Sequence, residues 1–341
     1  MRAVRFADFG PPEVLREVTV PDPECPADGV LVRLEAAAVN HLDLDERAGT
    51  SGFELHGSHQ LGREGAGIVV EVGREVDSAW VGRRVMVSAY PPCGTCLECQ
   101  RGLINVCRKF ARPGIDVPGT YAETVAAPLR GVFALPEGID VDQAACLQLG
   151  LGTAWHATLR RGALRPGEVL LVTGAGGGVG SAAVQVGVLA GAVVIAVASS
   201  PERRALAMEL GARVCLEPGP ELVDQVREAT AGGGVDVIVD GAGGHFVGPA
   251  VAMLRPAGRY VLYGAHGGEH TDLDLIALFR SYTSLIASRG WLIEDMNHVI
   301  EEVGRGRLRV HVGHRLVLAE AAAAHQLLGG RAVTGKVVLV P

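Results

Sequence analysis

Four cysteines stand close together in the first third of the chain, at Cys93, Cys96, Cys99 and Cys107. Two, two and seven residues separate them, a spacing that suits a structural zinc held in a tetrahedron by four thiolates. Because protein sulfurs would fill every coordination position, such a zinc leaves no open position for a substrate. Disulfides are the competing interpretation, but a cytosolic chain would keep these thiols reduced. The spacing therefore predicts a structural zinc lobe over about residues 90–110.

A glycine-rich loop follows a β-branched run in the second half of the chain. The run VLLV ends at residue 172, the segment TGAGGGVG fills residues 173–180, and an Ala- and Val-rich helical pattern comes next. Such a loop lets the backbone approach a pyrophosphate, whose charge then lies against the exposed N–H groups of the helix. The strand before the loop and the helix after it supply the context that this motif needs. The predicted dinucleotide site comprises Gly174, Ala175, Gly177, Gly178, Val179 and Gly180.

The end of the next predicted strand selects the cofactor. An Asp or Glu at this place would bind the adenosine ribose hydroxyls of NAD. The chain has Ser199 and Ser200 there instead, and Arg203 and Arg204 follow within reach of a 2′-phosphate. The sequence therefore favours NADPH over NADH. Two alternatives stay open, since Glu202 is also near enough to bind the ribose and both arginines suit a solvated first turn of a helix.

Length and pattern indicate how these motifs are positioned. At roughly 150 residues per domain, 341 residues predict two domains. From Met1 to about Ala127, short apolar runs alternate with charges, which is typical of twisted antiparallel β structure. From about Thr153, apolar strands alternate with longer helical stretches, which indicates a parallel sheet covered on both faces. The last part of the chain returns to strand, helix and strand, and we expect it to rejoin the first half.

Charge and hydropathy exclude two classes of partner. The net charge of −7 gives no basic footprint for nucleic acid and no polybasic anchor for a membrane. The start shows no charged leader followed by an apolar core, so we expect a cytoplasmic protein. The segment from Val169 to Ser200 carries no formal charge and would pass as a membrane span by hydropathy alone. Its glycines predict instead a strand, a loop, a helix and a second strand.

The two motifs, in this order along the chain, resemble those of the medium-chain dehydrogenase/reductase superfamily, which includes zinc alcohol dehydrogenases and quinone reductases. Further matching stretches are LGREGAGIVVEVG from Leu61, GTYAE from Gly119 and GKVVL from Gly335. The resemblance covers essentially the whole chain. It implies hydride transfer from a nicotinamide, with Thr153 packed against the nicotinamide ring and Gly264 in the cofactor site.

The same resemblance implies the fold and the domain boundaries. The expected fold class is α/β, with a GroES-like, β-rich catalytic domain and a Rossmann domain built on a doubly wound parallel sheet. Residues 1–150 and 288–341 would form the catalytic domain, and residues 151–287 the Rossmann domain. The active site would lie between them. We also expect a homodimer or a homotetramer.

The chain departs from this family where a catalytic zinc would be held. By the resemblance, the three ligand positions fall on Asn40, Arg63 and Leu149. Zinc needs thiolate, imidazole or carboxylate ligands, and none of these side chains supplies one. The sequence therefore predicts that the catalytic zinc is absent and that the chain holds one structural zinc.

Other potential metal ligands are scattered. They are Cys25, Cys146, Cys215, His41, His56 and His59. Cys146 is an alternative ligand near position 149, but it would lack two partners, and all three cysteines are most simply small buried apolar residues. The three histidines are a second alternative site. Because His56 and His59 lie in a polar loop, we expect them to be surface histidines.

Losing the metal removes the Lewis acid that would polarise a carbonyl. Quinones and α,β-unsaturated carbonyls accept a hydride with less dependence on a Lewis acid. The developing charge moves to a remote oxygen, which one or two hydrogen bonds can stabilise. The candidate donors are the Asn40 amide and the Arg63 guanidinium, and His41 is a candidate relay for a proton from solvent. Asp43 and Glu64 would lie beneath the vacated metal site, where a desolvated carboxylate needs a cation. Arg63 is the expected cation, either in the chemistry or in a purely structural ion pair.

The sequence thus predicts an NADPH-dependent oxidoreductase without catalytic zinc, which transfers hydride to a small quinone, enone or activated carbonyl compound. One alternative is an alcohol dehydrogenase or carbonyl reductase that uses Asn40 and Arg63 in place of zinc. Another is a non-catalytic NADPH-binding sensor or a partner in a biosynthetic complex.

Overall fold

The structure is a computed structural model that describes residues 1–52, 54–331 and 333–341. Its backbone divides into two compact units, each with its own large sheet. The first unit comprises Met1–Leu149, Leu292–Arg305 and Val310–Pro341, and the second comprises Gly150–Trp291 and Gly306–Arg309. The second unit is therefore inserted into the first.

The regular elements of the described residues are as follows. The strands are β1 (Arg2–Arg5), β2 (Arg16–Thr19), β3 (Gly29–Val39), β4 (Gly65–Val72), β5 (Arg84–Val87), β6 (Thr124–Pro128), β7 (Val132–Ala134), β8 (Val169–Val172), β9 (Val193–Val197), β10 (Val214–Leu216), β11 (Val235–Asp240), β12 (Leu254–Leu262), β13 (Ser284–Ala287), β14 (Val312–Val317) and β15 (Lys336–Val340). The α-helices are α1 (His41–Ala48), α2 (Leu97–Gln100), α3 (Val141–Ala144), α4 (Thr153–Trp155), α5 (Gly178–Leu189), α6 (Pro201–Glu209), α7 (Leu222–Ala229), α8 (Val247–Met253), α9 (Leu275–Arg280), α10 (Ile293–Gly304) and α11 (Ala321–Gly329). Short 3₁₀ and π-helical turns make up the other helical segments.

The first unit is built around β3, the longest of the described strands. The sheet order is β14, β15, β3, β4, β5 and β7, and β6 also pairs with β3. All of these pairs are antiparallel except β14 with β15. The apolar residues of β3 enter two separate cores, one around Val30 and Val32 and the other around Ala37 and Val39. Burial along almost the whole strand holds its end in a fixed place.

Strand register brings three distant parts of the chain together at the end of β3. Val39 pairs with Val337 of β15 in an antiparallel register. Asn40, which follows β3, and Lys336, which begins β15, are therefore neighbours. On the other side of β3, strand β4 begins directly after Glu64. Three polar residues thus meet where these strands end or begin.

The second unit is a parallel sheet, as the alternating sequence pattern predicts. Its strand order is β10, β9, β8, β11, β12 and β13, and all of its pairs are parallel. The chain proceeds outward from β8 through β9 to β10, and then crosses back to β11 on the other side of β8. In open parallel sheets, ligands bind outside the carboxyl ends of the strands at such a reversal. The carboxyl ends of β8 and β11 are therefore where the predicted cofactor crevice is expected.

The uncharged segment 169–200 folds as predicted, into β8, the glycine-rich loop, α5 and β9. In the described part of the chain, no helix combines the length and the apolar character that crossing a membrane requires.

Candidate active site

Asn40 lies at the junction of β3 and α1, with a half-buried side chain. Its backbone N–H donates to Asp43 Oδ2 at 2.8 Å, so that Asp43 stabilises the first turn of α1. Its side-chain Nδ2 donates to the Ala38 carbonyl oxygen at 3.5 Å, which is a long and weak hydrogen bond. The backbone of Asn40 is thus well fixed, while its amide nitrogen is only weakly engaged.

Lys336 is the cation beside Asn40. Its Nζ donates to Asn40 Oδ1 at 2.5 Å and to Glu64 Oε1 at 2.9 Å. The side chains of Lys336 and Glu64 are 7% and 0% exposed. Burial lowers the pKa of Lys336, but the charge and hydrogen bond of Glu64, together with nearby Cys146 and Asp43, outweigh this effect and raise the pKa above its usual value. The ammonium therefore stays charged at neutral pH.

The second oxygen of Glu64 is also engaged. Glu64 Oε2 accepts the backbone N–H of Leu149 at 2.9 Å. The isobutyl side chain of Leu149 has no atom that could bind a metal. Two of the three residues that the resemblance assigns to zinc-ligand positions, Asn40 and Leu149, are thus linked through Glu64 and Lys336.

Arg63 is buried, as the sequence predicts, but its partner is Glu46 of α1. The prediction that Arg63 pairs with Asp43 or Glu64 is wrong. Arg63 and Glu64 are consecutive in a bend just before β4, yet their side chains reach different elements. Glu64 meets Lys336, and Arg63 meets the helix α1.

Gly62 sets the direction of the chain before Arg63 and Glu64. Its φ of 105° lies in the region that only glycine adopts without strain. A Cβ atom at this position would also lie 2.4 Å from the hydroxyl of Thr120. Glycine is therefore required for the turn that presents these two charged side chains.

A second polar group lies under α1 and consists of Asp43, Tyr121 and His325. The hydroxyl of Tyr121 lies 3.3 Å from Asp43 Oδ2 and 3.0 Å from His325 Nε2, and all three side chains are buried. Burial lowers the pKa of His325 to about 3, so the imidazole is neutral. Burial raises the pKa of Asp43 to about 6. Burial also raises the pKa of Glu46 to about 8, against the opposing charge of Arg63.

The histidines of the sequence prediction lie apart from this group. His41 is the first residue of α1 and is exposed. His56 is exposed, as predicted. His59 is only partly exposed, its Nε2 lies 2.8 Å from the Gly114 carbonyl oxygen, and its ring packs edge-on against Phe6. The prediction of a surface histidine is therefore wrong for His59.

The cysteines outside the predicted zinc lobe also lie apart. Cys146 is fully buried, and burial raises the pKa of its thiol. Cys25 and Cys215 are only partly buried, so the prediction of buried residues is correct for Cys146 alone. Within the residues that the structure describes, these three join no group of potential metal ligands.

The sulfur atoms of Cys93, Cys96, Cys99 and Cys107 all lie within 4.8 Å of one another. The Sγ atoms of Cys93 and Cys99 are 3.8 Å apart, and those of Cys96 and Cys107 are 3.7 Å apart. A tetrahedral zinc with Zn–S bonds of about 2.3 Å places its sulfurs about 3.8 Å apart. A disulfide would need about 2.05 Å. The cluster therefore has the geometry of a four-thiolate metal site.

The glycine-rich loop connects β8 directly to α5. The helix begins at Gly178, with Gly177 as its N-cap residue. A Cβ atom on Gly180 would lie 2.1 Å from the Gly174 carbonyl oxygen, so only glycine allows the first turn of α5 to approach the loop this closely. The N–H groups of that first turn have no acceptor inside the helix and are suited to bind an anion.

The residues after β9 lie beside this loop. Ser200 is the N-cap of α6, and its Oγ accepts the Arg203 N–H at 3.3 Å. The side chain of Arg203 lies over Gly176, where an added Cβ would come within 2.4 Å of it. The guanidinium of Arg204 donates instead to the Ser199 carbonyl oxygen at 3.2 Å. Arg203 is therefore the arginine placed next to the predicted pyrophosphate site.

The predicted cofactor residues lie at the carboxyl ends of strands of the parallel sheet. Gly174 to Gly180 lie in the loop after β8 and the first turn of α5. Ser199 and Ser200 follow β9, and Arg203 lies in the first turn of α6. Gly264 follows β12. Thr153 is buried at the start of α4 in the same unit.

Three residues of these sites are absent from the sequence prediction. Asp240, buried at the end of β11, accepts the hydroxyls of Thr173 and Tyr260 and the backbone N–H of Gly243. The sequence feature that could have indicated Asp240 is an acidic residue at the end of an apolar strand. Glu46 follows Asp43 by one helical turn on the buried side of α1. Lys336 is one of only two lysines among 31 basic residues, and it begins an apolar strand.

Comparison with known proteins identifies the family. Residues 26–137 match the alcohol dehydrogenase GroES-like domain, and residues 178–305 match the zinc-binding dehydrogenase family. The chain is 32% identical to the NAD-dependent alcohol dehydrogenase of Sulfolobus acidocaldarius, over 99% of both proteins. It belongs to the medium-chain dehydrogenase/reductase superfamily.

Other members of the superfamily show the same likeness. The quinone oxidoreductase of Pseudomonas aeruginosa is 31% identical, over 100% of this chain and 99% of that protein. A crystal structure of an NAD-dependent alcohol dehydrogenase is 35% identical, with a TM-score of 0.94 over 100% of both chains. The GroES-like and Rossmann-type α/β fold predicted from the sequence is thus confirmed. The protein is an oxidoreductase of a family that uses a nicotinamide cofactor.

The Arg63–Glu46 pair generates a pH-dependent prediction. Arg63→Ala should lower the free energy of unfolding by about 3–5 kcal/mol in alkaline solution, because it leaves a buried carboxylate without its cation. The folded pKa of Glu46, about 8, is above its unfolded value of 4.5. The contribution of Glu46 to stability is therefore complete below about pH 4.5 and is lost as the pH rises through about 8. The cost of Arg63→Ala should accordingly shrink toward acidic pH, where a protonated Glu46 needs no cation.

Urea unfolding of the wild type and of Arg63→Ala at a series of pH values measures how the cost of the substitution depends on pH. The double variant Glu46→Gln, Arg63→Met removes both charges and serves as the control, in which the pH-dependent part of the loss should be absent. A cost of Arg63→Ala that stays constant with pH would contradict the assignment.

Proposed function

We propose that this protein is an NADPH-dependent oxidoreductase that works without a catalytic zinc and reduces a quinone, an enone or an activated carbonyl compound. The observation that supports the proposal is the contact of the Lys336 ammonium with both Asn40 and Glu64. Asn40 stands at one of the zinc-ligand positions that the resemblance implies, and Glu64 directly follows another, Arg63.

The residues present do not fit a catalytic metal ion. Leu149 offers no ligand atom, and the guanidinium of Arg63 is engaged by Glu46. The oxygens Asn40 Oδ1 and Glu64 Oε1 both accept hydrogen bonds from Lys336. A buried ammonium would repel a divalent cation from the same oxygens.

The Asn40 amide is the proposed donor to the substrate. When a conjugated acceptor takes a hydride at carbon, negative charge develops on a remote oxygen, where a preoriented N–H group stabilises it. A bound NADPH supplies the hydride. Asn40 is half-buried and follows directly after a buried strand, so its amide is held on a rigid element.

The other candidate residues have different roles in this proposal. Asp43 fixes α1 through the Asn40 N–H, and Glu64 holds Lys336. Arg63 has a structural role, because its side chain is 8% exposed and paired with Glu46. His41 is exposed and relays a proton from solvent.

The Asn40 assignment is tested in anaerobic assays with NADPH and benzoquinone or cyclohexenone as acceptors. Asn40→Asp keeps the size of the side chain and an oxygen for Lys336, but it has no N–H group. We expect kcat to fall by about 100- to 1,000-fold, the usual effect of removing one such donor, while the affinity for NADPH stays unchanged. Asn297→Asp, at an exposed position of α10, is the matched control and should behave like wild type. A wild-type kcat in Asn40→Asp would refute the role of the amide.

NADPH is the proposed cofactor because Ser200 stands where an acid would bind the ribose of NAD, and Arg203 lies over Gly176 of the glycine loop. Glu202 is fully exposed, and hydrogen bonds from its own N–H and from Ser200 lower its pKa. Its carboxylate is therefore already engaged at the start of α6.

Titration with the two cofactors tests this preference. NADPH should bind more tightly than NADH by about ten- to a hundredfold, since a charge-assisted contact contributes about 1.5–3 kcal/mol. Arg203→Ala should abolish most of the difference. Arg204→Ala is the control and should retain it, because Arg204 is bound to the end of β9. Equal affinities of the wild type for NADPH and NADH would show that the assignment is wrong.

The four-cysteine cluster is the proposed site of one structural zinc. The sulfur separations fit tetrahedral coordination, and all four positions would be filled by protein. Backbone N–H groups also donate to these sulfurs, for example from Cys96 to Cys93 Sγ at 3.3 Å, which stabilises the thiolate form.

Metal analysis of the purified protein should find one zinc per chain. Cys99→Ser should lose that zinc and several kcal/mol of stability, because the energy of structural zinc binding is folding energy. Cys25→Ser lies outside the cluster and should keep the metal. A second tightly held zinc would contradict the proposal of a zinc-free active site.

An alcohol dehydrogenase or carbonyl reductase without zinc is the second candidate, favoured by the name of the alcohol dehydrogenase relative. A non-catalytic NADPH-binding protein is the third. Anaerobic NADPH oxidation with quinones, enones, enoyl thioesters and aldehydes, together with NADP⁺ reduction by alcohols, separates them. Turnover of aldehydes and alcohols alone would favour the second, and cofactor binding without any turnover would favour the third. The homodimer or homotetramer stays a prediction.

A further inference from the structure

Lys336 is a buried lysine in a chain that otherwise uses arginine. The sequence contains Lys109 and Lys336 as its only lysines. Lys109 is exposed in the cysteine-rich lobe, whereas Lys336 is buried between Asn40 and Glu64. A buried ammonium is costly unless its partners compensate it, so its contacts need a physical explanation.

The chemistry of the ammonium decides which way the Asn40 amide faces. An ammonium has three donors and no acceptor, so it can contact only the oxygen of the amide. With Oδ1 held by Lys336 at 2.5 Å, Nδ2 must occupy the other end of the side chain. Nδ2 donates to the Ala38 carbonyl oxygen over a long distance of 3.5 Å. One end of the amide is therefore held firmly, and the donor end is only weakly engaged.

Glu64 and Leu149 in turn hold the ammonium in place. Glu64 Oε1 accepts from Nζ at 2.9 Å, and Glu64 Oε2 is fixed by the backbone N–H of Leu149 at 2.9 Å. The result is a continuous row of hydrogen bonds from the Leu149 backbone to the Asn40 amide. The ammonium withdraws electron density from the amide oxygen that it contacts, and in a low-dielectric interior this polarisation makes the N–H of the same amide a stronger donor.

We propose that Lys336 is a positioning residue, which orients the Asn40 amide and polarises it so that its N–H binds the developing oxyanion more strongly. This inference rests on the proposed function. In that reaction the acceptor carbon gains a hydride from NADPH, its π electrons move to the oxygen at Asn40, NADP⁺ remains, and a solvent proton completes the reduced product.

A double-mutant cycle separates this role from a merely structural one. Lys336→Met alone would leave Glu64 buried without a cation, so the variant used is Lys336→Met with Glu64→Gln, which removes both charges. It is compared with wild type, with Asn40→Ala and with all three substitutions combined. Kinetics are measured anaerobically with NADPH and benzoquinone.

We expect the charge-free pair to lower kcat by about tenfold, with a smaller change in KM, because the lost interaction is made mainly in the transition state. In the Asn40→Ala background the same replacement should change kcat by less than about twofold, because there is no amide left to orient. An equal loss in both backgrounds, or no loss in either, would overturn the inference. Lys109→Met is the matched control and should keep wild-type activity.

A second measurement does not depend on turnover. The chain contains three asparagines, Asn40, Asn105 and Asn297, so selective isotope labelling gives three pairs of side-chain amide signals. Asn40→Asp and Asn297→Asp assign them. The Asn40 signals should move or broaden in the charge-free pair, while those of Asn105 and Asn297 stay in place.

Together the two measurements distinguish a failure of this inference from a failure of the proposed function. Unchanged Asn40 signals in the charge-free pair would overturn the inference whatever the kinetics show. Undiminished activity of Asn40→Ala, together with shifted Asn40 signals, would refute the proposed function and would support the orientation of Asn40 by Lys336.

Discussion

The ion pair between Lys336 and Glu64 joins three parts of the chain that are distant in sequence. Glu64 enters β4, Lys336 begins β15 some 272 residues later, and Asn40 follows β3. Burying these two charges would be unfavourable without compensation, because the desolvation cost can exceed their attraction. Here each carboxylate oxygen accepts its own donor, and the ammonium also binds an amide. The arrangement can form only when β15 has joined β3, so the candidate site depends on the return of the chain from the inserted unit.

The buried Arg63 contacts a different carboxylate from the one that Lys336 contacts. Arg63 and Glu64 are neighbours in sequence, yet they contact different partners, Glu46 and Lys336. Lys336 and Arg63 thus contact different acidic side chains, while Asp43 accepts backbone and hydroxyl donors. The helix α1 is tied to the sheet beneath it by these contacts. A rigid α1 keeps Asn40 in a fixed position, which a hydrogen-bond donor to a transition state requires.

The inserted unit uses a buried carboxylate for a similar purpose. Asp240 binds the hydroxyls of Thr173 and Tyr260 and the backbone of the loop after β11. It thereby links the carboxyl ends of β8, β11 and β12 at the point where the strand order reverses. Parallel sheets bind ligands at this point because their loops diverge there. In each unit a buried acidic residue, Glu64 or Asp240, thus orders the loops or strand ends around it. Neither residue binds the substrate in our proposal.

The sequence alone predicted the features that depend on residues close together in the chain. The four cysteines, the loop from Gly174 to Gly180 and the alternation of strands and helices are local patterns, and their geometry follows from spacing and backbone conformation. It also predicted that Arg63 is buried. It did not predict the partner of Arg63, the role of Asp240 or the place of Lys336. Those features depend on strand register, on which side of the backbone each residue faces, and on contacts across hundreds of residues. Such contacts exist only after the sheets have assembled, so only the tertiary structure decides them.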